Sequence, residues 1–254
     1  MNDAASPSAP ELAGTRGATG YSFDPIAIVR SPFGDPFGIP RQAQLARVRA
    51  RVELDPRRIT AESLRGLEGV THIWLLWVFD RSDPAHSHPT VRPPRLGGNT
   101  RIGVLATRSP QRPNPIGMSA VRLVGIEGLV LHVEGCDLAD GTPVLDIKPY
   151  VASCDRIDDS AVAWLADTDE SRLEVVWTPA ARAQLGARPD AEALALQLDE
   201  ILALDPRPSY RKGDGDRGYA MVFAGREVRF RVEGTRLLIT AFDPHHADEP
   251  TTGG

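Results

Sequence analysis

Cysteine and long apolar runs are both scarce in this sequence. Its 254 residues include only two cysteines, Cys136 and Cys154, which are too few for a disulfide framework and lack the spacing of metal ligands. No segment reaches the roughly 20 apolar residues of a membrane-spanning helix, and residues 1–20 lack the basic start and apolar run of a secretion signal. We therefore expect a cytoplasmic protein with no membrane partner.

Several catalytic motifs are also missing. No Gly-x-Gly-x-x-Gly follows a strand-like run and there is no Walker sequence, which disfavours a Rossmann nucleotide site and a phosphate-binding loop. His86 and His88 have no partners at zinc-ligand spacing, so we expect no metal. Ser109 and Ser119 lie outside Gly-x-Ser-x-Gly, and no base is visible beside Cys136, so a serine or cysteine nucleophile is not indicated.

Acidic residues are absent from the stretch Pro89–Ser119, which contains five arginines, six prolines and four glycines. Proline fixes φ and glycine opens backbone conformations that other residues avoid, so this composition predicts a rigid, irregular loop. Guanidinium groups on a rigid loop suit a phosphate, a carboxylate or the edge of a base, because little entropy is lost on binding. A solvated basic loop without a ligand is the alternative.

Charge is unevenly distributed along the chain. The net charge is −5, yet residues 20–150 carry 16 Lys and Arg against 13 Asp and Glu, whereas residues 151–254 carry 12 against 19. The segment Pro84–Ile126 contains six arginines and no carboxylate. A local positive field in this segment is compatible with a nucleic-acid partner despite the acidic total.

Short strands separated by Gly and Pro turns dominate the first part of the chain. The apolar run Val70–Phe79 has the composition of a central strand buried on both faces. Thr60 is placed to begin a short helix that ends near Leu67. We predict a closed or nearly closed β-barrel from strands at Tyr21–Arg30, Ala46–Leu54, Val70–Phe79, Arg101–Leu105, Met118–Ile126, Leu129–Gly135 and Val144–Tyr150.

The strand Ala46–Leu54 alternates strictly and places Arg47, Arg49 and Arg51 on one face. Two interpretations remain open for this face. It is either an ordinary solvent-exposed surface or a basic edge that faces RNA.

A second, smaller α+β unit follows an acidic, turn-like stretch. Arg172–Trp177 resembles a strand, and Asp190 is placed to cap a helix that continues to about Leu204. Three further strands form a small β-meander, at Tyr219–Ala224, Glu227–Glu233 and Arg236–Phe242. The predicted organisation is a disordered tail over residues 1–20, a β-barrel domain over 21–155, a linker over 156–170, an α+β domain over 171–243 and a disordered tail over 244–254.

Two carboxylates, Asp137 and Asp140, lie in a tight turn near the arginine-rich loop in the predicted barrel. Carboxylates in a turn accept hydrogen bonds from ribose hydroxyls or an ammonium, while arginine holds a carboxylate or phosphate. A zwitterionic nucleoside would use both kinds of group. The alternative is that the two aspartates only end strands through Asx-turns.

Five long motifs occur in order between Tyr21 and Phe242. They are FGIPRQ (Phe37–Gln42), THIWLLWVFD (Thr71–Asp80), RPPRLGGNTRIGVLATRSPQRPNPIGMS (Arg92–Ser119), DLADGTPVLDIKPY (Asp137–Tyr150) and DPRPSYR (Asp205–Arg211). Together they resemble the TrmO family of tRNA adenosine N6-methyltransferases. The resemblance implies a mainly β fold, with a small N-terminal β-barrel that binds S-adenosylmethionine, a smaller α+β C-terminal domain and a homodimer.

The resemblance also implies an activity and a set of site residues. The family methylates N6 of threonylcarbamoyl-adenosine at position 37 of tRNA, beside the anticodon. Some members carry His-Gln where this chain has Asp80-Arg81, a change that backbone contacts would survive. The S-adenosylmethionine contacts carried over by motif are Pro40, Arg41, Gln42, Asp80, Arg81, Arg108, Met118, Asp137, Leu138, Ala139 and Asp140.

Catalytic and RNA-binding roles are assigned as hypotheses. In the sequence Asp-Ile-Lys-Pro-Tyr an acid and an aromatic lie close to the expected donor site, so Asp146 or Asp137 is expected to accept the N6 proton and Tyr150 to stack on or orient the base. The expected tRNA contacts are Arg92, Arg95, Arg101, Arg112, Arg207 and Arg211. Two other functions remain open: a non-catalytic RNA-binding module, and another transferase that uses S-adenosylmethionine.

Overall fold

A computed structural model describes residues 21–82, 87–93, 100–166, 171–207 and 217–245. Six antiparallel strands close a barrel in the order β1-β2-β7-β6-β3-β8, which confirms the mainly β fold with a barrel. Their bounds are β1 Ala27–Arg30, β2 Arg49–Leu54, β3 His72–Val78, β6 Ile116–Glu127, β7 Val130–Glu134 and β8 Pro143–Pro149. Between β3 and β6 a two-stranded sheet pairs β4 (Thr90–Val91) with β5 (Ile102–Gly103).

Strand β3 lies between β6 and β8. Alternate side chains on it, Ile73, Leu75 and Trp77, are buried inside the barrel, whereas the residues between them are only half-buried. The prediction of a strand buried on both faces was therefore wrong. A barrel wall has one interior and one exterior face, so strand periodicity of two governs even this apolar run.

The hairpin between β6 and β7 follows the predicted turn. Its strands pair from Glu127 opposite Val130, with Gly128 at a positive φ of 57°. Glycine suits this conformation because a Cβ would strain it. The predicted helix from Thr60 to Leu67 is replaced by two 3-10 turns, Ala61–Leu64 and Leu67–Gly69.

The C-terminal unit is a four-stranded sheet with the order β10-β11-β12-β9, covered by helices. The predicted meander is present, and β9 adds to it in parallel with β12, a pairing that the sequence did not indicate. The bounds are β9 Glu174–Trp177, α2 Pro179–Gly186, α3 Ala191–Ala203, β10 Tyr219–Phe223, β11 Arg226–Glu233 and β12 Arg236–Pro244.

The two helices of this unit begin differently from expectation. Helix α2 was not predicted, although Thr178 caps it by accepting a hydrogen bond from the Ala181 amide at 3.2 Å. Asp190 precedes α3 but its side chain does not cap the helix. Its carboxylate instead accepts two hydrogen bonds from the Arg188 guanidinium, at 2.7 and 2.8 Å. A charge-assisted pair with a close arginine thus replaces the helix cap.

The barrel and the C-terminal sheet have separate hydrophobic cores, and the chain between β1 and β2 packs into the second. Phe33, Ala46 and Val48 come from the chain between β1 and β2, yet they are buried among residues of the C-terminal unit. The rings of Phe33 and Phe223 meet edge to face with centroids 5.4 Å apart. The long loop between β1 and β2 is therefore fixed at both ends by packing on the second unit.

The stretch predicted as a linker follows α1 (Ala152–Asp155) and contains a 3-10 turn at Ala163–Leu165. In this turn the Trp164 indole donates a hydrogen bond to the carbonyl of Ala106, at 3.1 Å. At the other end of the chain β12 runs to Pro244, one residue into the segment predicted as a tail. Across the described ranges, no helix combines the length and apolar character needed to span a membrane.

Candidate methyl-donor site

A cavity of about 550 Å³ opens at one end of the barrel. Four segments surround it: the loop between β1 and β2 at residues 36–42, the end of β3 with residues 79–82, the chain from 107 to 118, and residues 137–142. The volume falls in the range of pockets that bury a small organic ligand. Ten of the eleven residues expected to contact S-adenosylmethionine line it, namely Pro40, Arg41, Gln42, Asp80, Arg81, Arg108, Met118, Asp137, Leu138 and Ala139.

The C-terminal sheet holds the first wall of the cavity in place. Phe37 stacks on Tyr219 and Phe230, with ring centroids 6.4 and 6.3 Å away. The Asp35 carboxylate accepts hydrogen bonds from the amides of Phe37 and Val222. Because this loop leads directly into the Pro-Arg-Gln sequence of residues 40–42, the second unit fixes part of the cavity, although none of its described residues lines it.

Cationic side chains are concentrated around the cavity. Arg108 donates a hydrogen bond to the side-chain oxygen of Gln42, which joins two walls of the site. The Arg81 guanidinium donates to the carbonyl of Asp140 at 2.9 Å and that of Gly34 at 3.4 Å. Arg81 therefore has a bracing role that its position after the central strand did not indicate.

Asp137 is the buried carboxylate of the cavity. The Ser119 hydroxyl and the Ala43 amide lie close to its carboxylate and favour its ionised form. Its Oδ1 atom is buried and has no hydrogen-bond partner within the described part of the chain. Burial raises the pKa of Asp137 from 3.8 to about 6, although these two groups and the charge of Arg108 oppose this rise.

A buried hydrogen bond lies beside this carboxylate. The indole N–H of Trp77 donates to Ser119 Oγ at 3.0 Å, and Ser119 stabilises the ionised form of Asp137. Gly117 makes room for the indole, since a Cβ on this glycine would lie 2.3 Å from the ring. Ser119 and Trp77 are thus both buried, and their polar atoms are hydrogen-bonded to each other.

Sequence reasoning missed Trp77, Gly117 and Ser119 as parts of the site. A signal was present, because Gly117 lies directly opposite Trp77 in the pairing of β3 with β6. A glycine opposite a large aromatic side chain indicates a ring that lies across the neighbouring strand. The motif that ends in Ser119 was recognised, but its serine had been considered only as a nucleophile.

The eleventh expected donor contact, Asp140, lies outside the cavity wall. Its Oδ1 accepts a hydrogen bond from the Ser31 amide at 3.0 Å, and Ser31 Oγ donates to the Leu138 carbonyl at 2.7 Å. Asp140 thus links its turn to the end of β1 through a long-range hydrogen bond, which differs from the local Asx-turn that the sequence left open for both aspartates.

Two expected catalytic residues, Asp146 and Tyr150, are not brought to the cavity. Asp146 is on β8, where its carboxylate pairs with Lys148 at 2.7 Å. The Tyr150 ring packs on Trp74, with centroids 5.4 Å apart. Strand β8 starts next to Thr142 at the cavity and rises roughly 3.3 Å per residue, so it carries these side chains away from the site.

The arginines expected to contact tRNA occupy varied places. Arg112 lines the cavity and donates to the Thr107 carbonyl, and Arg101 donates to Thr90 Oγ1 at 3.1 Å. Arg207 is only 5% exposed and is paired with Asp205, so its guanidinium is poorly placed for a phosphate. Arg92 is exposed. Arg95 and Arg211 lie outside the described residues.

Metal ligands are not assembled around the site. In the described ranges no group of three or more His, Cys, Asp and Glu side chains is close enough to hold a metal ion. The polar groups of the cavity are instead one buried carboxylate and several guanidiniums. This donor set suits an organic zwitterion.

Comparisons with known proteins agree with this geometry. Residues 28–156 match the family model described as the tRNA-methyltransferase O N-terminal domain, and residues 170–245 match the TrmO C-terminal domain. The tRNA (adenine(37)-N6)-methyltransferase of Escherichia coli K12 is 38% identical over 231 residues, which are 88% of this chain and 98% of the relative. A Pseudomonas aeruginosa protein provisionally named S-adenosylmethionine-dependent methyltransferase RcsF is 44% identical over 79% of this chain and 88% of its own length.

A solved structure extends the likeness to the fold. The crystal structure of TrmO from Pseudomonas aeruginosa superposes with a TM-score of 0.74 at 34% sequence identity, covering 89% of this chain and 98% of that one. The family models together span both the barrel and the C-terminal sheet. This chain therefore belongs to the TrmO family of tRNA methyltransferases.

Proposed function

We propose that the protein transfers a methyl group from S-adenosylmethionine to N6 of adenosine 37 in tRNA, and that the acceptor is threonylcarbamoyl-adenosine. The observation that carries the proposal is the buried Oδ1 of Asp137, which lacks a partner in the described ranges and lies in a cavity lined by arginines. A polar atom buried in this way costs free energy unless a ligand satisfies it. Similarity to the E. coli relative and to RcsF supports the choice of acceptor and donor.

The groups of the cavity fit the parts of S-adenosylmethionine. The positively charged sulfur suits the aromatic side chains of Trp77 and Phe79, whose centroids lie 4.2 Å apart at the cavity wall. Arg108 is placed to bind the carboxylate of the methionyl part through its guanidinium fork. When bound, the donor supplies a methyl group on a sulfonium, an electrophile that the side chains of this chain do not provide.

Within this site the protein acts mainly by alignment. The loop fixed by Phe37 and the brace formed by Arg81 hold two walls of the cavity before any ligand arrives. Prior alignment of two reactants is worth about 7–11 kcal/mol of an activation barrier. Methyl transfer forms a bond from carbon to N6 and breaks the bond from carbon to sulfur, so the two reactants must lie in line.

Asp137 accepts the proton that N6 loses in this reaction. Its pKa of about 6 keeps it mainly ionised at pH 7 and still basic enough to take a proton. Ser119 and Ala43 hold the carboxylate, while Oδ1 remains available to the substrate. A base positioned in this way contributes roughly a hundredfold to ten-thousandfold in rate.

The protein acts as a homodimer in the cytoplasm, where the tRNA substrate is found. Three exposed apolar side chains support the dimer. Leu105 is 82% exposed, while Ile116 and Met118 are each nearly half exposed at the cavity. Light scattering of the purified protein measures its molar mass and so tests the dimer. A mass equal to that of one chain would contradict it.

Nucleoside mass spectrometry tests the proposed reaction. The tRNA of cells that lack the protein should contain threonylcarbamoyl-adenosine without its N6 methyl group, and expression of the protein should restore the methyl group. An unchanged nucleoside profile would contradict the proposal. Titration with S-adenosylmethionine then separates a methyltransferase from an RNA-binding module, which has no need of the donor.

A further inference from the structure

Basic side chains form two rows across the outer face of the barrel, on β1, β2, β7 and β6. In one row Arg30 lies directly opposite Arg51, and Arg51 lies directly opposite His132. Like charges placed opposite each other destabilise a sheet. The fold alone gives no reason for this placement. We call the group the arginine rows; its members are Arg30, Arg49, Arg51, Arg122 and His132.

Glu53 pairs with two arginines of these rows. Its carboxylate lies 2.9 Å from Arg30 Nε and 3.8 Å from Arg51 Nη2. Only the first distance is that of a charge-assisted hydrogen bond. One carboxylate shared by two guanidiniums leaves a surplus positive charge.

Glu134 repeats this arrangement in the second row. It lies opposite Arg49 on one side and Arg122 on the other, with both nitrogen-to-oxygen distances at 3.7 Å. The glutamate side chain is 16% exposed, whereas the two arginines are 71% and 59% exposed. The carboxylate therefore lies beneath the guanidiniums, and the outer surface presented to a partner is cationic.

The arginine rows form one wall of a groove of about 560 Å³ between the barrel and α3. Leu194 and Gln197 of α3 form part of the opposite wall. The groove adjoins the methyl-donor cavity through the chain after β1. Arg30 is followed by Ser31, which hydrogen-bonds the cavity residue Leu138. A partner that reaches the cavity could extend along this face of the barrel.

We propose that the arginine rows bind the phosphate backbone of the substrate tRNA, away from the nucleoside that enters the cavity. The proposal rests on the proposed function, because it assigns a second contact to the same substrate. Regularly spaced phosphates suit a ladder of exposed guanidiniums that are only partly neutralised by two glutamates, of which Glu134 is largely buried and Glu53 is 37% exposed. An acidic surface of a second copy of the chain is the competing occupant.

Binding of unmodified tRNA at several salt concentrations tests the proposal without requiring methylation. Arg51→Ala should weaken binding about two- to fivefold, the range for an exposed ion pair. It should also reduce the slope of log affinity against log salt concentration by the amount expected for about one phosphate contact. Arg51→Lys, which keeps the charge, should retain most of the slope.

Glu53→Gln provides a variant whose effect cannot arise from misfolding. Removal of this carboxylate leaves Arg30 and Arg51 without their shared neutralising partner, so tRNA affinity should rise about two- to fivefold. Arg231→Ala is the matched control, since Arg231 is 49% exposed and paired with Glu233 on the C-terminal sheet. It should leave affinity and slope unchanged.

Equal affinities and slopes for Arg51→Ala, Glu53→Gln and the control would overturn the proposal. A loss of dimer mass in Arg51→Ala, with tRNA binding unchanged, would also contradict it and would assign the surface to a second copy. Failure of the proposed function has a different signature. In that case the wild-type protein leaves tRNA unmethylated, whatever these titrations show.

Discussion

Asp137 and Asp146 lie nine residues apart on the same barrel, but in contrasting surroundings. Asp137 is at the mouth of the barrel, with an oxygen buried in the cavity and a pKa raised by burial. Asp146 is on the outside of β8, about half exposed and paired with Lys148. The comparison teaches that position in the barrel, more than residue type or distance along the chain, determines which carboxylate can do chemistry.

The largest expected effect is a difference between these two aspartates. Asp137→Asn should lower the single-turnover rate of methyl transfer at least about a hundredfold, because the proton acceptor is lost. Asp146→Asn should change it less than about twofold, since an exposed ion pair contributes little. Rapid-quench measurements with saturating donor and tRNA give both rates. A hundredfold loss of rate in Asp146→Asn, or no loss in Asp137→Asn, would contradict the roles given to the two aspartates.

Arg108 offers the next sharpest contrast within the arginine-rich stretch. Arg108→Ala should weaken S-adenosylmethionine binding about tenfold, because a charge-assisted hydrogen bond at the cavity is lost. Arg101→Ala is the control, since Arg101 hydrogen-bonds Thr90. Calorimetric titration should find its donor affinity unchanged. If both variants lose affinity equally, the stretch acts as one site.

Arg108 also affects the acidity of the cavity. Its charge lowers the pKa of Asp137, so Arg108→Ala should move that pKa upward. In the wild type, kcat/KM should fall as the pH drops below about 6, when Asp137 takes up its proton. In the variant this fall should begin at a higher pH. An identical pH profile in the two proteins would show that Arg108 does not affect the pKa of Asp137.

A further expected effect concerns stability. The folded-state pKa of Asp137, about 6, is above its ordinary 3.8, so the folded protein binds this proton more tightly than the unfolded chain. Its contribution to the free energy of unfolding is therefore fully present below about pH 4 and is lost as the pH rises through about 6. Relative to the wild type, Asp137→Asn should gain stability between these values, by at most roughly 3 kcal/mol.

Urea denaturation without ligand measures this change at pH 4 and pH 7.5. The difference between the two proteins removes the contributions of all other titrating groups. Asp146→Asn is again the control and should show no such dependence on pH. A stability difference between wild type and Asp137→Asn that is constant across this range would contradict the buried, titrating Asp137.

Much of this fold was predictable from local pattern. Strand-forming residues between Gly and Pro turns identified most barrel strands, and Gly128 marked the hairpin between β6 and β7. The parallel pairing of β9 with β12 was not predictable, because it joins segments about 60 residues apart in sequence. The Asp190 cap failed for a local reason, since Arg188 competes for the same carboxylate.

The site, like the fold, was predictable from the sequence only in part. Ten of the expected donor contacts line one cavity because they lie in loops and strand ends at the same end of the barrel. Asp146 and Tyr150 were misplaced because closeness in sequence is not closeness in space along an extended strand. The hydrogen bond from Trp77 to Ser119 joins two strands beside Asp137, and it depends on strand register, which no single motif reveals.

A crystal structure of the protein with S-adenosylhomocysteine, the product of the donor, tests the central claim most directly. We expect the ligand in the cavity at the mouth of the barrel, in contact with Arg108, while Asp137 Oδ1 stays available to N6 of the substrate. A ligand bound elsewhere on the chain would contradict the account.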